Sequence, residues 1–230
     1  MKFITSLLVV AAAALIDATE LVVITPGISG GGESAVSTLA TACEAVAGRM
    51  GVRLLLREPN LNELEIKCLV QRLLPLCEHG NLVLHEKCAG ARQIAAAHGV
   101  GLHLTSAADW PFERQQFSGP LGVSAHSEAE ARHAQELGVQ WAFLSPIARP
   151  TSKPGDARPP IGEAAFLQAQ KDFPSIDLIA LGGITPASAA RLAAGGARGV
   201  AVLGGIFTAG ESTRPDAMRR TADAYLAALG

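Results

Sequence analysis

The chain has 230 residues, 49% hydrophobic and 17% charged, a balance that excludes a disordered protein and fits a well-buried globular one. A formal net charge of −2 with no Lys/Arg cluster leaves nucleic acid without an electrostatic footprint. The cysteines Cys43, Cys68, Cys77 and Cys88 form no C-x-x-C pair and match no zinc-knuckle spacing. They read as small buried thiols on the helices of a cytoplasmic protein.

In chain order, residues 1–19 come first. Met1-Lys2 and the apolar run 6–16 resemble a signal sequence, although the run is too short to span a membrane comfortably. The segment is read as an uncleaved addition to a single domain over residues 20–230. From there, short apolar runs predict strands at 21–24, 53–56, 82–84, 102–104, 121–123, 141–144, 178–180 and 200–203. Amphipathic patterns between them predict helices at 33–49, 61–77, 89–98, 128–137, 161–171, 186–194 and 215–229. Only the link 105–118 reads as too short and irregular for a full helix. Asp109, Glu113 and Arg114 within it read as solvated.

Strictly alternating strands and helices without a domain-sized linker require a closed barrel or an open doubly wound sheet. The even spacing favours the barrel, and so does Thr25-Pro26-Gly27 after the first strand, where a dinucleotide fold needs G-x-G-x-x-G. The expected fold is therefore α/β, a single (β/α)8 TIM barrel, with functional residues at the carboxyl ends of its strands. Residues 145–160, rich in Pro, Ser and Gly, read as a mobile loop over that mouth.

Leu181-Gly182-Gly183-Ile184 ends the seventh strand and Leu203-Gly204-Gly205-Ile206 ends the eighth. Glycines there let backbone N–H groups approach an anion, and the positive end of the next helix adds to the attraction. Phosphate binding is the expected role; tight strand-to-helix turns are the structural alternative. On this reading Gly183→Val is expected to abolish phosphate binding while leaving the fold largely intact.

Five motifs occur in order at these strand ends: Leu55-Leu56-Arg57-Glu58-Pro59, Gly101-Leu102-His103-Leu104, Gly122-Val123-Ser124-Ala125-His126-Ser127, Ser145-Pro146-Ile147 with Lys153-Pro154-Gly155, and Ala180-Leu181-Gly182-Gly183-Ile184-Thr185. Together they resemble the thiamine phosphate synthase/TenI superfamily over about residues 20–210. The resemblance implies a cytoplasmic enzyme of thiamine biosynthesis whose partner is a small phosphorylated thiazole, with neither nucleic acid nor membrane involved and with the oligomeric state open. It implies that Gly182, Gly183, Gly204 and Gly205 hold the thiazole phosphate. Arg57, Ser124 and Lys153 match positions that hold pyrophosphate, as suits a guanidinium fork, a hydroxyl and an ammonium. The structural alternatives are an Arg57 paired with Glu58 and a solvated Lys153.

The departures are as informative. Leu55 and Pro59 stand where the synthase pattern has Gln and Lys, and His85-Glu86 where it has Asn-Asp. The second magnesium aspartate falls near Ala107-Ala108, with Asp109 displaced by one position. Glu86 is then the only candidate magnesium ligand, and the ligand set is incomplete. Two activities stay open: a transferase joining thiazole phosphate to a pyrimidine pyrophosphate with magnesium, or a TenI-type thiazole tautomerase needing no cofactor. His126 is the expected proton shuttle for the tautomerase, with a hydrogen-bonding role at a helix start as its alternative. Other readings are a non-catalytic binder of thiazole or thiamine phosphate and another phosphate-binding barrel isomerase. His85, His103 and His126 end consecutive strands, but strand alternation argues against a shared zinc ion, with His103 facing the barrel interior. Trp110 and Trp141 read as packing residues, Trp110 with the option of stacking on a ligand ring.

Overall fold

A computed structural model of the chain describes residues 20–78, 80–149, 158–203, 206–207 and 214–230. Eight parallel strands close into a barrel in sequence order: β1 (Glu20–Ile24), β2 (Val52–Leu56), β3 (Leu82–His85), β4 (Gly101–Leu104), β5 (Leu121–Ala125), β6 (Trp141–Leu144), β7 (Asp177–Leu181) and β8 (Gly199–Val202). Closure is made by β1 on β8, with Leu21 beside Val200 and Val23 beside Val202. The (β/α)8 barrel expected from the sequence is therefore observed.

The helices are α1 (Glu33–Glu44), α2 (Glu63–Leu73), α3 (Ala91–His98), α4 (Trp110–Gln116), α5 (Glu128–Glu136), α6 (Glu163–Asp172), α7 (Pro186–Ala194) and α8 (Pro215–Leu229). Two end earlier than their patterns suggest. α1 stops at Glu44, and Gly48 beyond it takes a positive φ of 67°. α2 gives way to a tighter turn over Leu74–Leu76 containing Pro75, which removes a helical donor. The link 105–118 does hold a helix, the seven-residue α4. Its start is fixed locally: the Asp109 carboxylate accepts from Phe112 N–H at 3.1 Å, and Pro111 occupies the first turn.

Asp109 stays exposed while it caps the helix, whereas Glu113 and Arg114 depart from the solvated reading. Glu113 pairs with Arg92 at 2.6 Å, and Arg114 donates to the Phe117 and Gly119 carbonyls. Trp110 is buried, donates its indole N–H to the Thr105 carbonyl at 2.8 Å, and stacks on His133 of α5. That fixes it as a packing residue outside the barrel. Among the described residues no helix is long and apolar enough to cross a membrane.

Strand alternation separates two apolar regions. Leu21, Val23, Leu54, Leu56, Leu102 and Leu104 point out to the helices, while Val22, Ile24, Leu55, Val83, Trp141, Phe143, Ile179 and Ala201 fill the barrel. The interior accepts large side chains only because glycines face them. A Cβ on Gly122 would stand 2.0 Å from the Trp141 ring, and one on Gly101 would stand 3.0 Å from it. Below Trp141, Arg53 lies over its ring at 4.6 Å and pairs with Glu20 at 2.9 Å, closing the barrel floor. Burial pushes the Glu20 carboxyl up, and Arg53 partly offsets this.

The cysteines divide by burial. Cys43 and Cys88 are buried, Cys77 is partly so, and Cys68 is exposed, against the expectation that all four are buried. Burial pushes the Cys77 and Cys88 thiols up to about 11, and Cys43 higher still.

Two outcomes follow from this packing. Gly122→Ala forces a methyl into a rigid ring and is expected to lower stability by about 3 kcal/mol, read as a shifted urea midpoint. A maleimide at neutral pH is expected to modify Cys68 well before Cys88, read by mass spectrometry of the intact and then digested protein.

Candidate active site

The carboxyl ends of the strands open on one side of the barrel, and the inward alternation of each strand carries its next side chain toward that opening. On β2, Arg53 and Leu55 lead to the half-buried Arg57. On β5, Gly122 leads to Ser124 and then His126. On β6, Trp141 and Phe143 lead to Ser145. Residues distant in sequence therefore share one mouth.

Arg57 is not tied up by its neighbour. Glu58 is fully buried, and its carboxylate accepts from Gly27 N–H at 3.2 Å and Ile28 N–H at 2.6 Å. Arg57 donates its own N–H to the Thr25 hydroxyl at 2.8 Å, and its Nη1 lies 3.5 Å from where a Gly27 Cβ would stand. Glu58 N–H meets the Cys88 sulfur at 3.3 Å, and that thiol donates to the Leu56 carbonyl at 3.3 Å. The loops after β1, β2 and β3 are thereby fastened together around a buried carboxylate.

The turn after β7 has Gly182 at φ 100° and Gly183 at φ 67°, backbone that L side chains rarely adopt. It is also crowded. A Cβ on Gly183 would stand 2.8 Å from the Ala148 Cβ and 2.9 Å from the Arg149 carbonyl oxygen, and one on Gly182 would stand 3.0 Å from Pro146. Ile147 and Ala148 donate N–H groups to the Leu181 and Gly182 carbonyls, both at 2.9 Å, holding the two loops side by side. These glycines are required by the turn itself, so Gly183→Val distorts the turn rather than sparing the fold as the sequence alone suggests. Behind the turn, Thr185 caps α7 in a reciprocal pair with Ser188, and Pro186 occupies the first position, which leaves the positive end of α7 at the mouth. Gly204, Gly205 and Lys153 lie outside the described residues.

Three histidines end up in distinct settings, each with its own hydrogen-bond partners. His85 Nδ1 accepts from Lys87 N–H at 3.1 Å. His103 is buried inside the barrel, as expected, 4.1 Å centroid-to-centroid from Phe143 and 5.8 Å from His85. Its Nδ1 accepts the Trp141 indole N–H at 3.1 Å, and its Nε2 lies 3.0 Å from Ser124 Oγ. His126 Nδ1 lies 2.9 Å from the Ser145 carbonyl and 3.1 Å from the Ser145 hydroxyl, and Arg158 Nη1 stands 2.6 Å from Nδ1 too. The same Arg158 Nη1 stands 2.6 Å from Nε2, so the guanidinium sits at the edge of the ring between its two nitrogens. His126 also serves the helix start, its N–H donating to Glu130 at 2.6 Å just before the Ser127 cap.

The magnesium expectation meets committed carboxylates. Glu86 Oε1 accepts from Thr105 N–H at 3.0 Å and from the Thr105 hydroxyl, while Asp109 caps α4. Among the described residues no group of three or more His, Cys, Asp or Glu side chains is placed to hold a metal. Among the described residues the carboxylates do not assemble a magnesium site. A cavity of about 480 Å³ lies beside Glu86, but its Leu102 and Leu104 walls belong to the outer face of β4, away from the mouth.

Arg158 and the Trp141–His103 contact escaped the sequence reading. Arg158 follows the Pro-rich stretch with no periodicity to place it, whereas the inward parity of Trp141 and His103 was present but became a contact only through strand register.

Comparison with known proteins matches residues 21–206 to the family described as thiamine monophosphate synthase. A thiamine-phosphate synthase of Herpetosiphon aurantiacus is 32% identical over 180 residues, covering 76% of this chain and 84% of that protein. A second, of Chloroflexus aurantiacus, is 41% identical over 93 residues, 40% of this chain and 42% of its own. A thiamine phosphate pyrophosphorylase structure from Pyrococcus furiosus superposes with a TM-score of 0.69 at 20% identity, covering 92% and 97% of the two chains, a likeness of fold.

Burial, then the charges of His85 and Arg53, push His103 well below the ordinary histidine value of 6.5. The unfolded chain therefore takes up this proton first as pH falls. Its contribution to stability is full above 6.5 and is lost below it, with a slope approaching about 1.4 kcal/mol per pH unit. Urea unfolding across that range is expected to show the slope and to lose it in His103→Gln.

Proposed function

The chain belongs to the thiamine monophosphate synthase family, enzymes of thiamine biosynthesis, and we propose that within it this protein is the synthase that joins a thiazole phosphate to a pyrimidine pyrophosphate. The observation that carries this reading is a mouth with two separate anion-suited regions. One is the β7 glycine turn at the positive end of α7; the other comprises Arg57, just beyond β2, and the hydrogen-bonded Ser124 on β5, both carried toward the mouth by strand alternation. An enzyme that only isomerises one phosphorylated ring needs a single such region.

In this reading the Gly182-Gly183 turn, with Gly204 and Gly205, seats the thiazole phosphate. Arg57, Ser124 and Lys153 receive the pyrophosphate. As the carbon–oxygen bond to pyrophosphate breaks and the thiazole nitrogen takes its place on carbon, negative charge gathers on the leaving oxygens. A guanidinium fork and a hydroxyl donor stabilise the added charge on the leaving pyrophosphate more than the less charged ester from which it departs. No step is assigned to magnesium, because the described carboxylates do not group into a site for it.

A second reading is favoured by His126. With Nδ1 donating to the Ser145 carbonyl, Nε2 is left as the ring acceptor, the state a general base requires. In a tautomerase this nitrogen would take a proton from ring carbon and return it elsewhere, with Arg158 holding the developing negative charge.

Assays with purified protein separate these. The synthase reading expects pyrophosphate release from the two substrates and rescue of growth in a strain lacking its own synthase. Arg57→Ala is expected to lower kcat/KM by roughly 30-fold, the effect of losing a charge-assisted contact of about 2 kcal/mol. His126→Ala is expected to spare that reaction. No coupling, with isomerisation of the thiazole carboxylate phosphate that vanishes in His126→Ala, would instead establish the tautomerase. Binding of thiamine phosphate with neither activity would leave a non-catalytic binder.

A further inference from the structure

Ser124 offers the mouth one hydroxyl, and a hydroxyl has two faces: a proton to give and lone pairs to receive. What lies behind it determines which face is presented. Trp141 Nε1–H can only donate, and it meets His103 Nδ1 at 3.1 Å. The two rings are inclined by 19° with centroids 6.4 Å apart, the near-parallel offset of a bond lying close to the ring planes. His103 Nδ1 must then be bare, and a neutral imidazole carries its single proton on Nε2. That proton lies toward Ser124 Oγ at 3.0 Å. Ser124 accepts it, which turns its own proton away from the barrel interior.

We propose that Trp141 and His103 form a positioning relay that locks Ser124 as a hydrogen-bond donor toward an anion at the barrel mouth. The inference deepens the role given above to Ser124 and rests on that reading. The relay gives the site a sign preference that a lone serine lacks: it favours oxygen-rich anions, pyrophosphate foremost, over ligands presenting N–H or O–H groups. It also argues against Ser124 as a nucleophile, since His103 Nε2 is occupied by a proton and cannot accept the one Ser124 would shed.

The packing makes the lock specific to tryptophan. Gly101 and Gly122 vacate the space that the indole fills, and Arg53 covers its face at 4.6 Å. Phenylalanine at 141 keeps an aromatic ring there but has no N–H. His103 is then free to move its proton to Nδ1 and accept from Ser124, which spends the serine proton inside the barrel. His103 and Trp141 are positioning residues; neither is required to touch the ligand.

The test has two parts. In the unaltered protein, the imidazole nitrogen resonances of His103 are expected to show Nε2 protonated, Nδ1 bare and no titration through neutral pH. A proton on Nδ1 would overturn the relay whatever the binding data. Binding of inorganic pyrophosphate is then measured calorimetrically in a cycle of Trp141→Phe, Ser124→Ala and the double variant, with folding of each checked by circular dichroism. Trp141→Phe is expected to weaken binding roughly fivefold, the effect of one net hydrogen bond, and to add nothing further in the Ser124→Ala background. Equal weakening in both backgrounds means that Trp141 acts through packing alone and sinks the relay. Unchanged binding in Ser124→Ala, with the expected His103 resonances, removes instead the anion role of Ser124 on which the proposal stands.

Discussion

The interior of an eight-stranded barrel has a fixed width, and here an indole occupies much of it. Trp141 enters only because β4 and β5 present Gly101 and Gly122 to it, and because the Arg53 guanidinium covers its lower face. Once the ring is seated, its single N–H has to be satisfied away from water, and His103 is the acceptor within reach. The orientation of His103, the partner of Ser124 and the polarity of that edge of the mouth all descend from this one steric accommodation. A packing decision at mid-barrel thereby becomes a chemical one at the rim.

The barrel was legible because its signals are periodic. Alternating apolar runs named all eight strands, and the inward or outward parity of each followed from its spacing. α4 was missed because its seven residues are too few to display a period; what starts it is a local cap at Asp109 and a proline. The glycine turn at residues 182–183 was correctly singled out, but for a mixed reason. Its positive φ angles and its contact with Ala148 are demands of the turn, so glycine there does not by itself distinguish an anion cradle from a tight corner.

The site itself was only partly readable. The positions of Ser124, His126 and Arg57 at strand ends could be counted off the sequence. Their partners could not, since His103 reaches Ser124 through the register of β4 on β5, and Ser145 reaches His126 through that of β5 on β6. Glu86 shows how much hangs on such partners: one of its carboxylate oxygens accepts from the Thr105 N–H and hydroxyl of the neighbouring loop, a bond that no spacing announces. Chemical type is written in the sequence, whereas availability depends on neighbours from other strands.

Glu58 carries a consequence of a different kind. Its buried carboxylate binds the backbone of the first loop, and its own N–H engages Cys88 of the third. Three loops that a designer would treat as interchangeable cassettes are thus a single part. A grafted β1–α1 loop that follows a different backbone path carries the N–H donors at positions 27 and 28 away from Glu58 and leaves its buried carboxyl oxygens without partners. Diversity at this side of the mouth has to be sampled in linked sets, and a library that varies each loop alone will return mostly broken barrels.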